Sequence, residues 1–224
     1  MMPTVVAIMA KAPRAGSVKT RLCPPLTAGE AADLYRCFLL DKIEQVRGLD
    51  GARAAIAYTP PEGRREFETL APGFLLVDQH DGDLGARLAT SFASLFASGY
   101  GAALAVDCDT PTLPTSFLRE AVELIGTPGT DVVLGPSEDG GYYLIGLRVP
   151  HLELFRDVAW STSSVLAETL RRAGAKGLTI ACLPPWFDVD TPDDLERLER
   201  ELTESGSMGP QHTRRFLARP GRGG

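Results

Sequence analysis

The sequence Thr4-Val-Val-Ala-Ile-Met9 indicates how this chain folds, because it is short, apolar and rich in β-branched residues. A strand of this composition is typical of a sheet that is buried on both faces, as parallel sheets are. The next residues, 11–26, are rich in proline, glycine and positive charge, and they predict a loop. Thr27-Ala-Gly-Glu30 then has the capping-box pattern, which predicts the start of an amphipathic helix over residues 28–47.

Strand and helix patterns alternate along the rest of the chain. Strands are predicted at 53–58, 74–77, 102–106, 131–134, 142–147 and 178–183, and helices at 62–70, 84–97, 116–125 and 163–172. A last helix is predicted to open at Thr191-Pro-Asp-Asp194, with Thr191 as the N-cap. This alternation predicts an α/β fold with a mostly parallel sheet between helices. We expect one domain over residues 1–204 and a disordered basic tail over residues 205–224.

The composition excludes several classes of protein. With 224 residues, 44% hydrophobic and 23% charged, the chain is neither disordered nor fibrous. The net charge is -6, and the last 20 residues carry four arginines and no acid, so the rest of the chain is more acidic still. We therefore expect no binding to nucleic acid or to anionic membranes. No apolar run approaches the roughly 20 residues of a membrane span. The cysteines form no CxxC pair, so we expect reduced thiols and a cytoplasmic location.

Four cations follow the first strand closely, at Lys11, Arg14, Lys19 and Arg21. Gly16 lies among them, and backbone amides of such a loop can face an anion. Lysine supplies a point charge and arginine a planar fork, and both bind phosphate. The loop is not a Walker A motif, because Val18 rather than glycine precedes Lys19. We interpret it as a phosphate-binding loop, with a solvated basic loop as the alternative.

Two pairs of aspartates are candidates for a metal site. Asp107 and Asp109 follow the apolar strand 102–106, where ligands of α/β sheets gather. Asp188 and Asp190 have side chains on the same side of an extended segment, because side chains alternate with period two. Carboxylates so placed can hold Mg²⁺, which keeps several waters and bridges substrate phosphates. The alternative is that these aspartates only cap turns or helices.

Two further polar stretches are open to two interpretations. Residues 135–143 contain Asp139 followed by Gly140 and Gly141, which permit close approach of a ligand to the backbone or simply form a hairpin turn. Residues 79–87 either bind a base or sugar edge or form the start of a helix. The candidate nucleotide-binding residues are Lys11, Arg14, Gly16, Gln79, Asp83, Gly85, Arg87, Gly140 and Gly141.

These motifs, in this order, resemble the glycosyltransferase-A-like family of small bacterial transferases within the nucleotide-diphospho-sugar transferase superfamily. The stretches that carry the resemblance are AKAPRAGSVKTRL, LYRCFLLD, GDLGAR, DCDTPTL, GPSEDGGYYLIGL, WSTSSVL and DVDTPDDL, and the resemblance covers roughly residues 4–200. The set also looks like the nucleotidyltransferases for molybdenum cofactor and for 2-phospho-lactate.

The resemblance implies a Rossmann-like mixed sheet of the GT-A type that binds a nucleotide with its N-terminal half. It implies a divalent metal at Asp109, with Asp190 as second carboxylate, and phosphate contacts from Lys19 and Arg21. Asp107 departs from the family pattern, which usually has a small residue there. Asp107 is therefore either an outer ligand or a substitution without a role.

We therefore expect a Mg²⁺- or Mn²⁺-dependent transferase that takes a nucleotide or nucleotide-sugar donor and a small-molecule acceptor. The cations of the first loop suit a triphosphate, which favours nucleotidyl transfer to a phosphorylated or hydroxyl acceptor. The alternatives are glycosyl transfer from a nucleotide sugar, a nucleotide-binding regulator without catalysis, and a plain interaction domain. The candidate catalytic residues are Lys19, Arg21 and Asp139, the last as the carboxylate that activates the acceptor.

Overall fold

A computed structural model describes residues 3–204 and 209–219 of the chain. The seven strands are β1 (Thr4–Lys11), β2 (Ala52–Thr59), β3 (Leu75–Asp78), β4 (Ala102–Val106), β5 (Val132–Pro136), β6 (Tyr142–Leu147) and β7 (Ile180–Cys182). The α-helices are α1 (Ala28–Arg47), α2 (Arg64–Leu70), α3 (Leu84–Ala97), α4 (Thr115–Gly126), α5 (Val165–Ala175), α6 (Pro192–Glu204) and α7 (Gln211–Leu217). Apart from α7, these elements match the predicted segments, with ends that differ by up to three residues.

All seven strands form one mixed sheet in the order β3-β2-β1-β4-β6-β5-β7. The β1–β2, β1–β4, β2–β3 and β5–β7 pairs are parallel. Strand β6 alone runs antiparallel to both of its neighbours, β4 and β5. The expected Rossmann-like, mostly parallel mixed sheet is confirmed. The first residues of β6 consequently lie at the edge where β1, β4 and β5 end.

The sheet lies between two helical layers because its central strands alternate apolar side chains between both faces. In β1, Val6 and Ile8 pack into a core with α1, α2 and α4. Val5 and Ala7 face the opposite core, which contains α3 and α5. The predicted capping box opens α1, where Thr27 Oγ1 accepts from Glu30 N at 3.2 Å. These layers leave the strand ends at one edge open for a site.

A third apolar cluster joins α1, α6 and α7, and it corrects the expectation of a disordered tail. Phe216 of α7 is buried in this cluster, with Leu198 of α6 and Phe38 of α1. The sequence pattern missed α7 because the helix is short and surrounded by glycine, proline and arginine. Residues 205–208 and 220–224, also included in the predicted tail, lie outside the described residues. Within residues 3–204 and 209–219, no helix combines the length and apolarity needed to cross a membrane.

Candidate active site

A cleft of about 610 Å³ opens at the edge where β1, β2, β4 and β5 end and β6 begins. The structure brings eleven of the predicted site residues to its lining: Lys11, Lys19, Arg21, Gln79, Arg87, Asp107, Asp109, Asp139, Gly141, Asp188 and Asp190. Residues separated by up to 179 positions in the chain therefore share one cavity. This convergence follows from the parallel strands, which deliver their carboxyl ends to the same edge.

Lys19 lies at the centre of the charged groups. Its side chain is 4% exposed, and its Nζ lies 2.7 Å from Asp109 Oδ1 and 2.7 Å from Asp190 Oδ1. Burial alone disfavours the ammonium, but the two carboxylates outweigh burial and raise the pKa of Lys19 above its ordinary value. Its backbone is left-handed, at φ 48°, a conformation that costs a non-glycine residue on the order of 1 kcal/mol. The ion pairs offset that cost.

Main-chain hydrogen bonds hold the second pair of aspartates against the first. Val189 N donates to Asp109 O at 3.0 Å, so the segment 186–190 runs beside the end of β4. Thr191 caps α6 as predicted: its Oγ1 accepts from Asp194 N at 3.4 Å, and Asp194 Oδ2 accepts in return from Thr191 N at 2.8 Å and Thr191 Oγ1 at 2.6 Å. This anchoring at both sides fixes Asp190 opposite Asp109, and the expected convergence of the two pairs is what the structure has.

Burial and mutual repulsion raise the pKa values of two cleft aspartates, and Lys19 lowers the pKa of a third. Burial, followed by the negative charge of Asp109, raises the pKa of Asp107 to about 7. Burial, followed by the charges of Asp190 and Asp139, raises the pKa of Asp188 to about 6. For Asp190, Lys19 outweighs the effect of burial and the pKa is lowered. The cleft therefore concentrates carboxylates, two of which hold a proton more readily than an ordinary aspartate does.

The donor set fits a divalent cation in part. Asp109 Oδ1 is buried and has no hydrogen-bond partner among the described residues, although it forms the ion pair with Lys19. Within the same residues, the cleft aspartates do not present three ligand atoms within 4.8 Å of one another; the cluster that does, Asp41, Glu44 and His212, lies where α7 meets α1. Asp109 and Asp190 suit a hard cation whose other ligands are water and substrate phosphate.

Five predicted nucleotide-binding residues do not line the cleft: Arg14, Gly16, Asp83, Gly85 and Gly140. Asp83 is the N-cap of α3, and its Oδ1 accepts from Ala86 N at 2.8 Å. A Cβ on Gly85 would lie 2.3 Å from Trp160 Nε1, and one on Gly140 would lie 2.2 Å from Ser163 O. Capping and close packing account for these three residues, and their role in nucleotide binding stays a prediction.

Sequence reasoning missed three groups in or behind the cleft. Tyr35 of α1 lines it, and its hydroxyl accepts from Lys11 N at 2.9 Å. Lys42 is fully buried and donates to Thr110 O at 3.1 Å, behind Asp107. Trp160 and the hydroxyl residues 161–163 form a wall of the cleft that was not predicted. Lys42 could have been noticed from the sequence, because it interrupts an otherwise apolar face of α1. No residue spacing in the sequence indicated the wall.

Comparisons with known proteins show which family and which fold the chain shares. A 2-phospho-L-lactate guanylyltransferase from Haloarcula marismortui is 28% identical over 184 residues, which cover 82% of this chain and 81% of that protein. A crystal structure from Desulfovibrio desulfuricans G20, provisionally named a nucleotide-diphospho-sugar transferase, superposes with a TM-score of 0.88 at 30% identity, covering 97% of this chain and 94% of the other. The chain is thus a transferase of the nucleotide-diphospho-sugar transferase fold, as predicted.

A more distant structure shares the fold alone. The glucosyl-3-phosphoglycerate synthase of Mycobacterium tuberculosis, in complex with Mn²⁺ and uridine diphosphate, has a TM-score of 0.51 at 14% identity. The alignment covers 90% of this chain and 77% of that one. Finally, a family model matches residues 42–162, just over half of the chain. The chain therefore belongs to the bacterial family described as "Uncharacterized protein conserved in bacteria (DUF2064)".

Proposed function

We propose that this protein is a metal-dependent nucleotidyltransferase, which transfers a nucleoside monophosphate from a nucleoside triphosphate to a small acceptor. The observation that carries the proposal is the buried Lys19 held between Asp109 and Asp190 in an open cleft. Lys11 and Arg21 add positive charge near the same point, with Arg21 Nη1 3.9 Å from Asp190 Oδ2. Similarity to a guanylyltransferase over four fifths of the chain supports the same reaction class.

The chain's residues have distinct roles in this reaction. Lys11, Lys19 and Arg21 bind and neutralise the triphosphate. Asp109 and Asp190 would hold the divalent cation, which supplies charge neutralisation at the phosphates when it is bound. An acceptor oxygen attacks the α-phosphorus, the bond between the α-phosphorus and the bridging oxygen breaks, and pyrophosphate leaves. Catalysis is then mostly positioning and charge stabilisation.

A direct assay tests the proposal. The protein is incubated with each nucleoside triphosphate, Mg²⁺ or Mn²⁺, and a panel of phosphorylated and hydroxylated acceptors, and pyrophosphate release is measured. We expect release with at least one donor and none after addition of a chelator. Asp109→Asn should abolish release and keep the circular dichroism spectrum and melting temperature of a folded protein; full activity of this variant would refute the metal assignment.

Glycosyl transfer is the second candidate, and the Desulfovibrio structure favours it. In that reaction the metal-site residues and the loop cations stabilise a departing nucleoside diphosphate. The same assay with nucleotide sugars then yields nucleoside diphosphate instead of pyrophosphate. A regulator without catalysis would give neither product, yet nucleotide and metal together would still stabilise it, by about 2.7 kcal/mol at 100 times the Kd.

A further inference from the structure

Strand order divides the cleft into two halves of different chemistry. Lys11 and Thr59 end β1 and β2, and Gln79 follows β3, all at one side of β4. Residues 137–142 join β5 to β6 on the other side of β4. Residues 160–165 adjoin that turn, because Leu166 N donates to Gly140 O at 2.9 Å. The lining therefore has two halves. One half lies near β1 to β3, on the side proposed to bind the nucleotide donor, and the other lies near β5 and β6. We call this second half the acceptor wall.

The acceptor wall consists of six cleft-lining residues: Asp139, Tyr142, Trp160, Ser161, Ser163 and Asp188. It contains two carboxylates, and residues 137–142, 160–165 and 186–190 include no lysine or arginine. The hydroxyls of Ser161 and Ser163 are exposed and have no hydrogen-bond partner within the described residues. The rings of Tyr142 and Trp160 meet edge to face, with centroids 6.4 Å apart.

This wall has the wrong charge for an anionic acceptor. A phosphate or carboxylate placed beside Asp139 and Asp188 would meet like charges, while Lys19 is already paired with Asp109 and Asp190 and the Arg87 Nε with Gly82 O. Carboxylates and free serine hydroxyls instead pair well with hydroxyl groups, which both donate and accept hydrogen bonds. Aromatic rings supply apolar faces for C–H groups between those hydroxyls.

We infer that the acceptor is an uncharged, polyhydroxylated molecule such as a sugar or a polyol, bound against Asp139, Asp188, Trp160 and the free serines. The inference rests on the proposed transferase function and specifies its acceptor. One acceptor hydroxyl oxygen forms the new bond to the α-phosphorus, pyrophosphate takes the electron pair of the broken bond, and the hydroxyl proton passes to the Asp139 carboxylate. In this respect the protein differs from its guanylyltransferase relative, whose named substrate is a phosphorylated acid.

Arg87 is the cation of the cleft that could bind an anionic acceptor. It lies on the first turn of α3, where Gly85 packs against Trp160, and it lines the cleft. Its Nε donates to Gly82 O at 3.0 Å, which ties part of the guanidinium to the start of its own helix. The experiment therefore has to separate an anion bound by Arg87 from a neutral acceptor.

The test uses matched pairs of acceptors in the presence of the best donor and metal: sugars and polyols, each compared with its own phosphate ester. Product formation is followed by mass spectrometry, and kcat/KM is compared within each pair. We expect the neutral member to be favoured by at least tenfold. Preference for the phosphate ester overturns the inference, and loss of that preference in Arg87→Gln would identify Arg87 as the anion site.

A second experiment inserts a positive charge into the acceptor wall. Ser163→Lys adds a cation to the wall and keeps both carboxylates, so it should raise kcat/KM for phosphate esters at least tenfold relative to the neutral partner. Ser116→Lys is the matched control, because Ser116 is exposed on α4 outside the cleft lining, and it should leave the ratio unchanged. An unchanged ratio in Ser163→Lys counts against the inference.

The two levels of failure are distinguishable. If no donor is bound or consumed with any acceptor or with water, the proposed function itself is wrong. If the donor is bound and hydrolysed but no neutral acceptor in the panel is used, the proposed function survives and the inference about the acceptor is overturned.

Discussion

Lys19 is the residue on which the charge balance of the cleft depends. Its ammonium pairs with a carboxylate from the end of β4 and with another from the segment before α6, 81 positions further along the chain. The stem passes near the Phe38 ring, with Nζ 6.0 Å from the ring centroid. One side chain therefore joins the first loop to two other parts of the site.

Replacing Lys19 tests that role. Lys19→Met keeps most of the stem but leaves Asp109 and Asp190 facing each other without a cation. We expect a loss of about 1–3 kcal/mol in unfolding free energy, less than for a fully buried pair, because both carboxylates are more than a third exposed. Nucleotide affinity should fall as well, most clearly at low salt. Urea denaturation and calorimetric titration measure the two effects.

Arg21→Met is the control for that variant. The Arg21 side chain is 71% exposed and lies 3.9 Å from Asp190, so its ion pair is worth at most about 1 kcal/mol. Its loss should lower nucleotide affinity with little change in stability. If Lys19→Met is as stable as Arg21→Met, the ion pairs of Lys19 do not stabilise the fold.

At the scale of elements, α7 is held to α1 by a carboxylate. Asp41 of α1 accepts from His212 N and Thr213 N, both at 2.8 Å, and from Thr213 Oγ1 at 2.6 Å. A side chain of one helix thus caps the free amides at the start of another. The cap and the burial of Phe216 keep this short helix in place.

Removing the cap should weaken that attachment. Asp41→Ala leaves buried donors without partners, so we expect a loss of about 1–3 kcal/mol in unfolding free energy. Hydrogen exchange at residues 211–217 should accelerate at the same time. Glu44→Ala serves as control, since its pair with His212 is exposed on the Glu44 side and worth at most about 1 kcal/mol. Equal losses in the two variants would contradict the capping role.

The contact between α3 and Trp160 depends on a glycine. A Cβ on Gly85 would come within 2.5 Å of Phe155 O as well as meeting the indole, so Gly85→Ala should cost about 1–3 kcal/mol and shift Trp160 fluorescence. In Gly174→Ala of α5 the new methyl meets nothing within 4 Å, and that variant should be neutral or stabilising by up to about 1 kcal/mol. A Gly85→Ala protein as stable as Gly174→Ala would contradict the packing argument.

The elements were predictable where local signals were strong. The helix 84–97 and the strands 102–106 and 142–147 match the prediction at both ends, because apolar periodicity and capping residues mark them. Helix α7 was missed because its stability comes from Asp41 and from the cluster around Phe38, which are distant in sequence. The direction of β6 was not predictable, since a buried apolar strand has the same pattern whichever way it runs.

At the scale of the whole molecule, the concentration of acids in one cleft makes stability depend on pH. The pKa values of Asp107 and Asp188 are raised, to about 7 and about 6, so the folded protein binds more protons than the unfolded chain at mildly acidic pH. The stabilisation is complete below the unfolded pKa, near 4, and is lost as pH rises through the folded values.

We therefore expect unfolding free energy to fall by on the order of 2 kcal/mol between about pH 5 and 8, measured without metal by urea denaturation. Asp107→Asn should flatten this slope, because the amide still accepts from Thr110 and no longer ionises. Asp50→Asn, at an exposed position before β2, should keep the slope of the natural protein. A stability that rises with pH would contradict the direction of both shifts.

The site as a whole was predictable where its residues follow predicted strands. Ten of the eleven predicted cleft-lining residues follow predicted strands, whose parallel members share an edge, and Arg87 lies in the predicted helix 84–97. Glycines were less informative: Gly85 and Gly140 are required by neighbours from another part of the chain, which no local pattern reveals. Tyr35 was not predicted as a cleft residue, because from the sequence alone a tyrosine on the apolar face of a helix cannot be distinguished from a core residue.

The reversed strand β6 has a consequence for how such enzymes diversify. Because β6 begins at the edge where β5 ends, most of one cleft wall lies in a contiguous stretch of about 30 residues, 135–165, separate from the cations of the first loop and the aspartates after β4. Exchanging the coding sequence for this one interval would change the acceptor and keep the same reaction. We expect sequence divergence among relatives to be concentrated in residues 135–165, while Lys19, Asp109 and Asp190 stay unchanged.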